Sequence, residues 1–169
     1  KDLLHYRAQA SLLNNQIDEA INEYQGILKD NPADDCAHIN LALAFARKAR
    51  TDDEAAEQYK KALSIQPNNV HIQRIMARVC AKKNNFKSVV QYLHGALKSN
   101  DKIAPKIISD CRDILTNHPH AMPVRWFLLD LLMAAGHLRE VLKELDIIFE
   151  FEPEKIEELL AAYERILSK

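Results

Sequence analysis

"DEAAEQYKKALSIQP", residues 53–67, decides how this chain folds. Ala55, Tyr59 and Ala62 fall at helical spacing on one face, and Pro67 closes the run because proline cannot continue an incoming helix. Three other stretches carry the same offsets: "IDEAINEYQGILKDNP" (17–32), "FKSVVQYLHGALKSND" (86–101) and "LREVLKELDIIFEFEP" (138–153). Ala20, Ala55, Val89 and Val141 correspond, as do Tyr24, Tyr59, Leu93 and Leu145.

Each stretch follows another amphipathic segment: "LLHYRAQASLLNN", "AHINLALAFARKA", "VHIQRIMARVCAKKN" and "VRWFLLDLLMAAG". Helix pairs therefore recur with a period near 34 residues, the signature of a repeat architecture. Small residues at Ala8, Ala42 and Ala77 let paired helices approach closely, and Pro32, Pro67 and Pro153 punctuate the units.

With Leu41, Ala42 and Phe45 followed by Ala55, Tyr59, Ala62 and Pro67, the chain resembles the tetratricopeptide repeat (TPR) family. The resemblance implies an all-α, right-handed α-solenoid of helix-turn-helix repeats, read as one continuous domain. Three units are expected over 1–34, 35–69 and 70–103, and a fourth, degenerate unit plus a closing, capping helix over 122–169. Large Leu129 and Ile148 stand in the fourth unit where the family has small residues. Residues 104–121 remain as one unpaired helix, either inserted or a repeat missing half.

Composition agrees with helix nearly throughout: only three glycines and six prolines occur in 169 residues. The formal net charge is -1, which argues against a general nucleic-acid or membrane-surface binder. The charge is uneven, however. Lys and Arg against Asp and Glu number 8 to 11 over residues 1–69, 9 to 3 over 70–121 and 6 to 10 over 122–169, so a basic block sits between two acidic ones.

Motifs of catalysis are absent: there is no glycine-rich phosphate loop, no GxSxG and no HExxH. The reading is a non-enzyme without cofactor or metal, and His118, His120 and Cys111 read as a solvated turn and a packed thiol, not as ligands. Cys36, Cys80 and Cys111 lie far apart with no CxxC pair, which suits reduced thiols in a cytoplasmic compartment. No apolar run approaches a membrane span, and the chain starts without Met, so a fragment of a longer, anchored protein is the alternative to a cytoplasmic one.

By the resemblance, partners bind the inner wall lined by the first helix of each repeat. The residues expected there are His5, Gln9, Asn40, Leu43, Arg47, His71, Arg74, Arg78 and Lys82, with Leu12 beside them. Many TPR co-chaperones clamp a terminal carboxylate with Lys, Asn and Arg on this wall. Here His5, Gln9, His71 and Ile75 cannot supply those charged donors, so that specificity is not expected. An acidic peptide or protein attracted by the cationic row is the leading partner, with self-association between basic and acidic blocks as another. Trp126 and Phe127 form a second candidate patch, packing inward being the alternative. RNA binding is disfavoured because no aromatic residues interleave the cations. A non-catalytic part of a larger enzyme or of a membrane-anchored assembly is the alternative role.

Overall fold

The computed structural model describes all residues except 1, 49–51, 156, 158–159, 162–163 and 165–169; of Asp2, Ala46 and Asp52 only the backbone is described. The described residues form nine α-helices and no strand: α1 (Asp2–Leu13), α2 (Ile17–Asp30), α3 (Asp35–Lys48), α4 (Asp52–Ile65), α5 (Val70–Lys82), α6 (Phe86–Ser99), α7 (Ala104–Asn117), α8 (Met122–Ala134) and α9 (Leu138–Phe151). The closing helix expected after Pro153 lies largely outside the described residues. Two compact units can be described, Lys1–Val79 and Cys80–Lys169, and each is taken by itself.

In the first unit α1 packs on α2, α2 on α3 and α3 on α4, with α1 and α3 in contact as neighbouring first helices. The reason is a shared apolar seam. Ala8, Ala20, Tyr24, Ala37, Leu41 and Ala44 are all at most 2% exposed and join Leu12, Ile21 and Ile27 in one cluster. Ala8, Ala42 and Ala77 are fully buried, where a larger side chain would separate the helix axes. Leu129 takes the same position in α8 and, with Ile148 of α9, is also fully buried, so the fourth repeat accommodates both large residues.

Turn chemistry repeats with the helices. Asn15 (φ 62°), Asn84 (φ 55°) and Gly136 (φ 73°) occupy the left-handed region between first and second helices, which Asn and Gly tolerate best. Asp34 and Asn69 at the junctions before α3 and α5, and Asn85 beside Asn84 before α6, accept from the backbone N–H three residues on, at 2.9, 3.1 and 3.2 Å.

A second motif recurs at the junctions that precede a first helix. His38 Nε2 donates to the Pro32 carbonyl (2.9 Å), Gln73 Nε2 to the Pro67 carbonyl (2.7 Å) and Arg125 Nη2 to the Pro119 carbonyl (3.0 Å). The donor lies six residues after the proline each time, and it ties a first helix to the end of the second helix before it. Ile107, Cys111 and Ile114 precede Pro119 by the same intervals at which Ala20, Tyr24 and Ile27 precede Pro32, and all six are buried. α7 thus carries the burial register and the proline junction of a second helix, with no first helix between it and α6. A 3₁₀ turn at Asp101–Ile103, capped by Asn100, is all that separates it from α6. Within the second unit α8 packs against α6, α7 and α9.

Candidate functional site

The candidate surface is a stripe of the first helices that runs beside the buried position of Ala8 and its equivalents. Superposing the repeats in sequence on Ala8, Ala42, Ala77 and Leu129 puts His5, Ile39, Arg74 and Trp126 at one position, all half-buried. Gln9, Leu43, Arg78 and Asp130 follow one turn on; all are exposed except Leu43, which is half-buried. Leu13, Arg47, Lys82 and Ala134 come next, all exposed. Every position of the stripe is open to a partner to some degree, whereas in α3 the neighbouring Leu41, Ala42 and Ala44 carry the core.

Several expected wall residues have structural work of their own. His5 Nε2 lies 3.2 Å from Asp34 Oδ2, and the imidazole tilts against the Tyr24 ring (centroids 6.5 Å). Burial tends to raise the Asp34 carboxyl, but the Ala37 N–H, His5 and Asn31 outweigh it and hold the group below the ordinary carboxylate range. Arg47 Nη1 donates to the Leu12 carbonyl (2.9 Å), satisfying the C-terminal end of α1. Leu12 itself is 7% exposed and belongs to the core, not to the wall. Asn40 is half-buried beside the stripe.

The cationic row survives as geometry. His71, Arg78 and Lys82 are exposed and Arg74 half-buried, at intervals of three, four and four residues along α5, which brings all four to one side of that helix. Arg74, Arg78 and Lys82 each also hold an intramolecular interaction.

The proposed aromatic patch does not form. Phe127 is 9% exposed and meets the His94 ring edge-on at 6.2 Å, so it is part of the packing between α8 and α6. Its position in the repeat lies toward the neighbouring helix, while Trp126 lies on the wall stripe. Trp126 Nε1 donates to Glu152 Oε2 (2.8 Å), and Lys155 Nζ sits 5.2 Å from the ring centroid. What sequence reasoning missed is this assignment of Trp126 and Asp130 to the stripe; counting back from Leu129 to Ala77 would have found it.

The bond from Trp126 holds the Glu152 carboxyl below its ordinary value, partly opposed by burial and helped by Lys155. Trp126 is the chain's single tryptophan, so its emission reports this contact. Acidification through the lowered Glu152 range protonates the acceptor and weakens the bond, and the fluorescence changes there. With Glu152→Gln the emission is expected to be flat over the same acid range; an unchanged titration in that variant would assign the signal to another group.

Burial, with Asp110 adding to it and Arg112 opposing, pushes the Cys111 thiol up to about 12, and burial together with Asp35 and Asp34 raises Cys36, so neither thiol is primed as a nucleophile. His118 meets Phe86 edge-on (5.4 Å) and His120 meets Phe151 (4.9 Å), and among the described residues no group of three His, Cys, Asp or Glu side chains could hold a metal. No described helix is long and apolar enough to cross a membrane.

No protein-family model matches the chain, and no curated protein matches it in sequence. Solved structures do match in fold. The crystal structure of MamA protein aligns with a TM-score of 0.55 at 15% identity, over 92% of this chain and 93% of MamA. YrrB, described as a TPR protein with an unusual peptide-binding site, aligns at 0.53 and 17% identity, over 93% of this chain and 88% of YrrB. A thermophilic TPR protein of Thermus thermophilus aligns at 0.52 and 18% identity, over 97% of this chain and 80% of its own. The fold of this chain is therefore the TPR fold.

Proposed function

We propose that this TPR-fold chain is a protein-interaction scaffold whose first-helix wall binds an acidic peptide or protein segment. The observation that carries the reading is the row His71, Arg74, Arg78 and Lys82 on one side of α5, exposed or half-exposed and at the start of the chain's basic block. Arginine forks take carboxylates in bidentate fashion, and an acidic side chain joins or replaces the contacts these residues already hold. Gln9, Asn40 and Leu43 add amide and apolar contacts on the first unit's own wall.

The experiment is a peptide-library screen at low and moderate salt, followed by titration of the selected peptides. Acidic sequences are expected to be enriched, and Arg74→Glu with Arg78→Glu to weaken them by at least about tenfold, with a steep salt dependence in the parent protein. Enrichment of neutral or basic peptides, or binding indifferent to the double substitution, would remove the cationic row from the mechanism.

A further inference from the structure

One position of the second helices changes character within the first unit. Three residues after the buried Ala20, Ile107 and Val141 stand Glu23, Asp110 and Glu144, but after Ala55 and Val89 stand Gln58 and Tyr92. Glu23 accepts from Arg7 Nε and Ser11 Oγ, and Glu144 accepts from Arg125 Nη1, so each of these carboxylates meets donors from the first helix of its own repeat. Gln58 is half-buried and neutral, and its Oε1 lies 3.4 Å from Nδ1 of His38.

Around Gln58 the cations are present and the carboxylate is not. A groove of about 360 Å³ runs between α2 and α4 over α3, with Gln25 and Lys29 on one wall and Gln58 and Lys61 on the other. Buried His38 and Leu41 form its floor, the imidazole held by the Pro32 carbonyl at 2.9 Å. Among the described residues no Asp or Glu lines this groove, and neither Lys29 nor Lys61 has an ion pair. The acidic side chains of the same two helices are engaged elsewhere: Asp18 with Lys48, Glu23 with Arg7 and Glu57 with Lys60, while Glu54 holds an interaction of its own. Asp30 lines the separate groove on the α1 side of α2, which Lys29 also borders.

A carboxylate that enters the groove meets two ammonium groups at the exposed rim and two side-chain amides able to donate N–H. One exposed lysine contributes little to such a contact, but two converging on the same anion add. Half-buried Leu28 and buried Leu41 give an apolar neighbour of the anion a surface to cover. A single turn of helix, about 10 Å across and about 5 Å tall, already exceeds the groove's volume, so extended chain is the form that fits.

We propose that the α2–α3–α4 groove is a second binding site, which takes an aspartate or glutamate side chain of an extended partner segment between Lys29 and Lys61, with an adjoining apolar residue on Leu28 and Leu41. The partner's carboxylate supplies beside Gln58 what Glu23 and Glu144 supply from within the chain in their own repeats. The site shares no residue with the cationic row on α5 or with the first-helix stripe, and stands independently of the function proposed above.

Nitrogen-15 NMR titration of the 169-residue chain tests it, with the acetylated and amidated dipeptide Glu-Leu as probe, Gln-Leu as its neutral control and inorganic phosphate as a second anion. Glu-Leu is expected to shift the side-chain amide signals of Gln25 and Gln58 and the backbone amide of His38 in a saturable way. Gln-Leu should bind about fivefold more weakly or less, and added salt should narrow the difference. Gln58→Glu puts on α4 the carboxylate that Glu144 provides on α9, and it should remove the response to Glu-Leu while the circular dichroism stays that of the parent. Lys29→Ala with Lys61→Ala, both exposed, should do the same. Arg74→Glu with Arg78→Glu should leave the groove response intact, so failure of the α5 site and failure of this one are read separately. The proposal is overturned if Glu-Leu gives no saturable shift at any concentration its solubility allows, if Gln-Leu binds equally well, or if the response persists in Gln58→Glu and in the double lysine variant. Phosphate moving the same signals at lower concentration than Glu-Leu would make the groove a phosphate site and likewise overturn it.

Discussion

Replacing Arg125 by Met is expected to cost about 3 kcal/mol of unfolding free energy, the low end of what breaking a buried ion pair costs, because Glu144 keeps 18% of its side-chain surface in water. Arg125 is 6% exposed on α8 and bonds two partners, the Glu144 carboxylate of α9 through Nη1 and the Pro119 carbonyl through Nη2. Methionine fills the volume but leaves both acceptors without a donor. Arg125→Gln should lose less, since Gln73 satisfies the Pro67 carbonyl with the same amide one junction earlier in the chain. Adding Glu144→Leu to Arg125→Met should recover most of the loss, and the double-mutant cycle by urea unfolding measures the coupling. A single-variant loss below about 1 kcal/mol would mean that water already solvates the pair.

That arginine marks a boundary of what the sequence made legible. Helix pairing, the seam of Ala20, Tyr24, Ala55 and Tyr59 and the punctuation by proline all follow from periodicity, because repeated burial demands repeated residue types. The polar junction donors did not repeat as residue types: His38, Gln73 and Arg125 perform one task with three chemistries, and only the shared distance to a proline carbonyl joins them. The wall was legible as a face but not in its internal contacts, since nothing in the spacing says that Arg47 closes the end of α1 or that His5 meets Asp34 across the α2–α3 turn. Phe127 was misplaced for a related reason. Two adjacent aromatics on a helix point about 100° apart, so one faces the neighbouring helix while the other stays on the wall.

The unpaired helix α7 offers the sharpest stability test of the repeat reading. An inserted helix lying on a finished array would tolerate truncation of its side chains to within about 0.5 kcal/mol, as surface positions generally do. A second helix in register cannot, because Ile107 (0% exposed), Cys111 (0%) and Ile114 (5%) fill the positions that Ala20, Tyr24 and Ile27 fill in the first repeat. Ile107→Ala is therefore expected to cost about 3 kcal/mol, through lost burial and the cavity left among side chains that relax only in part. Lys106→Ala and Ser109→Ala, on the exposed side of the same helix, are the controls and should change little. Hydrogen exchange supplies the second readout: amides of α7 and α8 should lose protection together in Ile107→Ala, because α8 packs directly on α7. Loss confined to α7, with α8 protected as before, would make α7 an appendage and sever the link between the Pro119 junction and the repeat register.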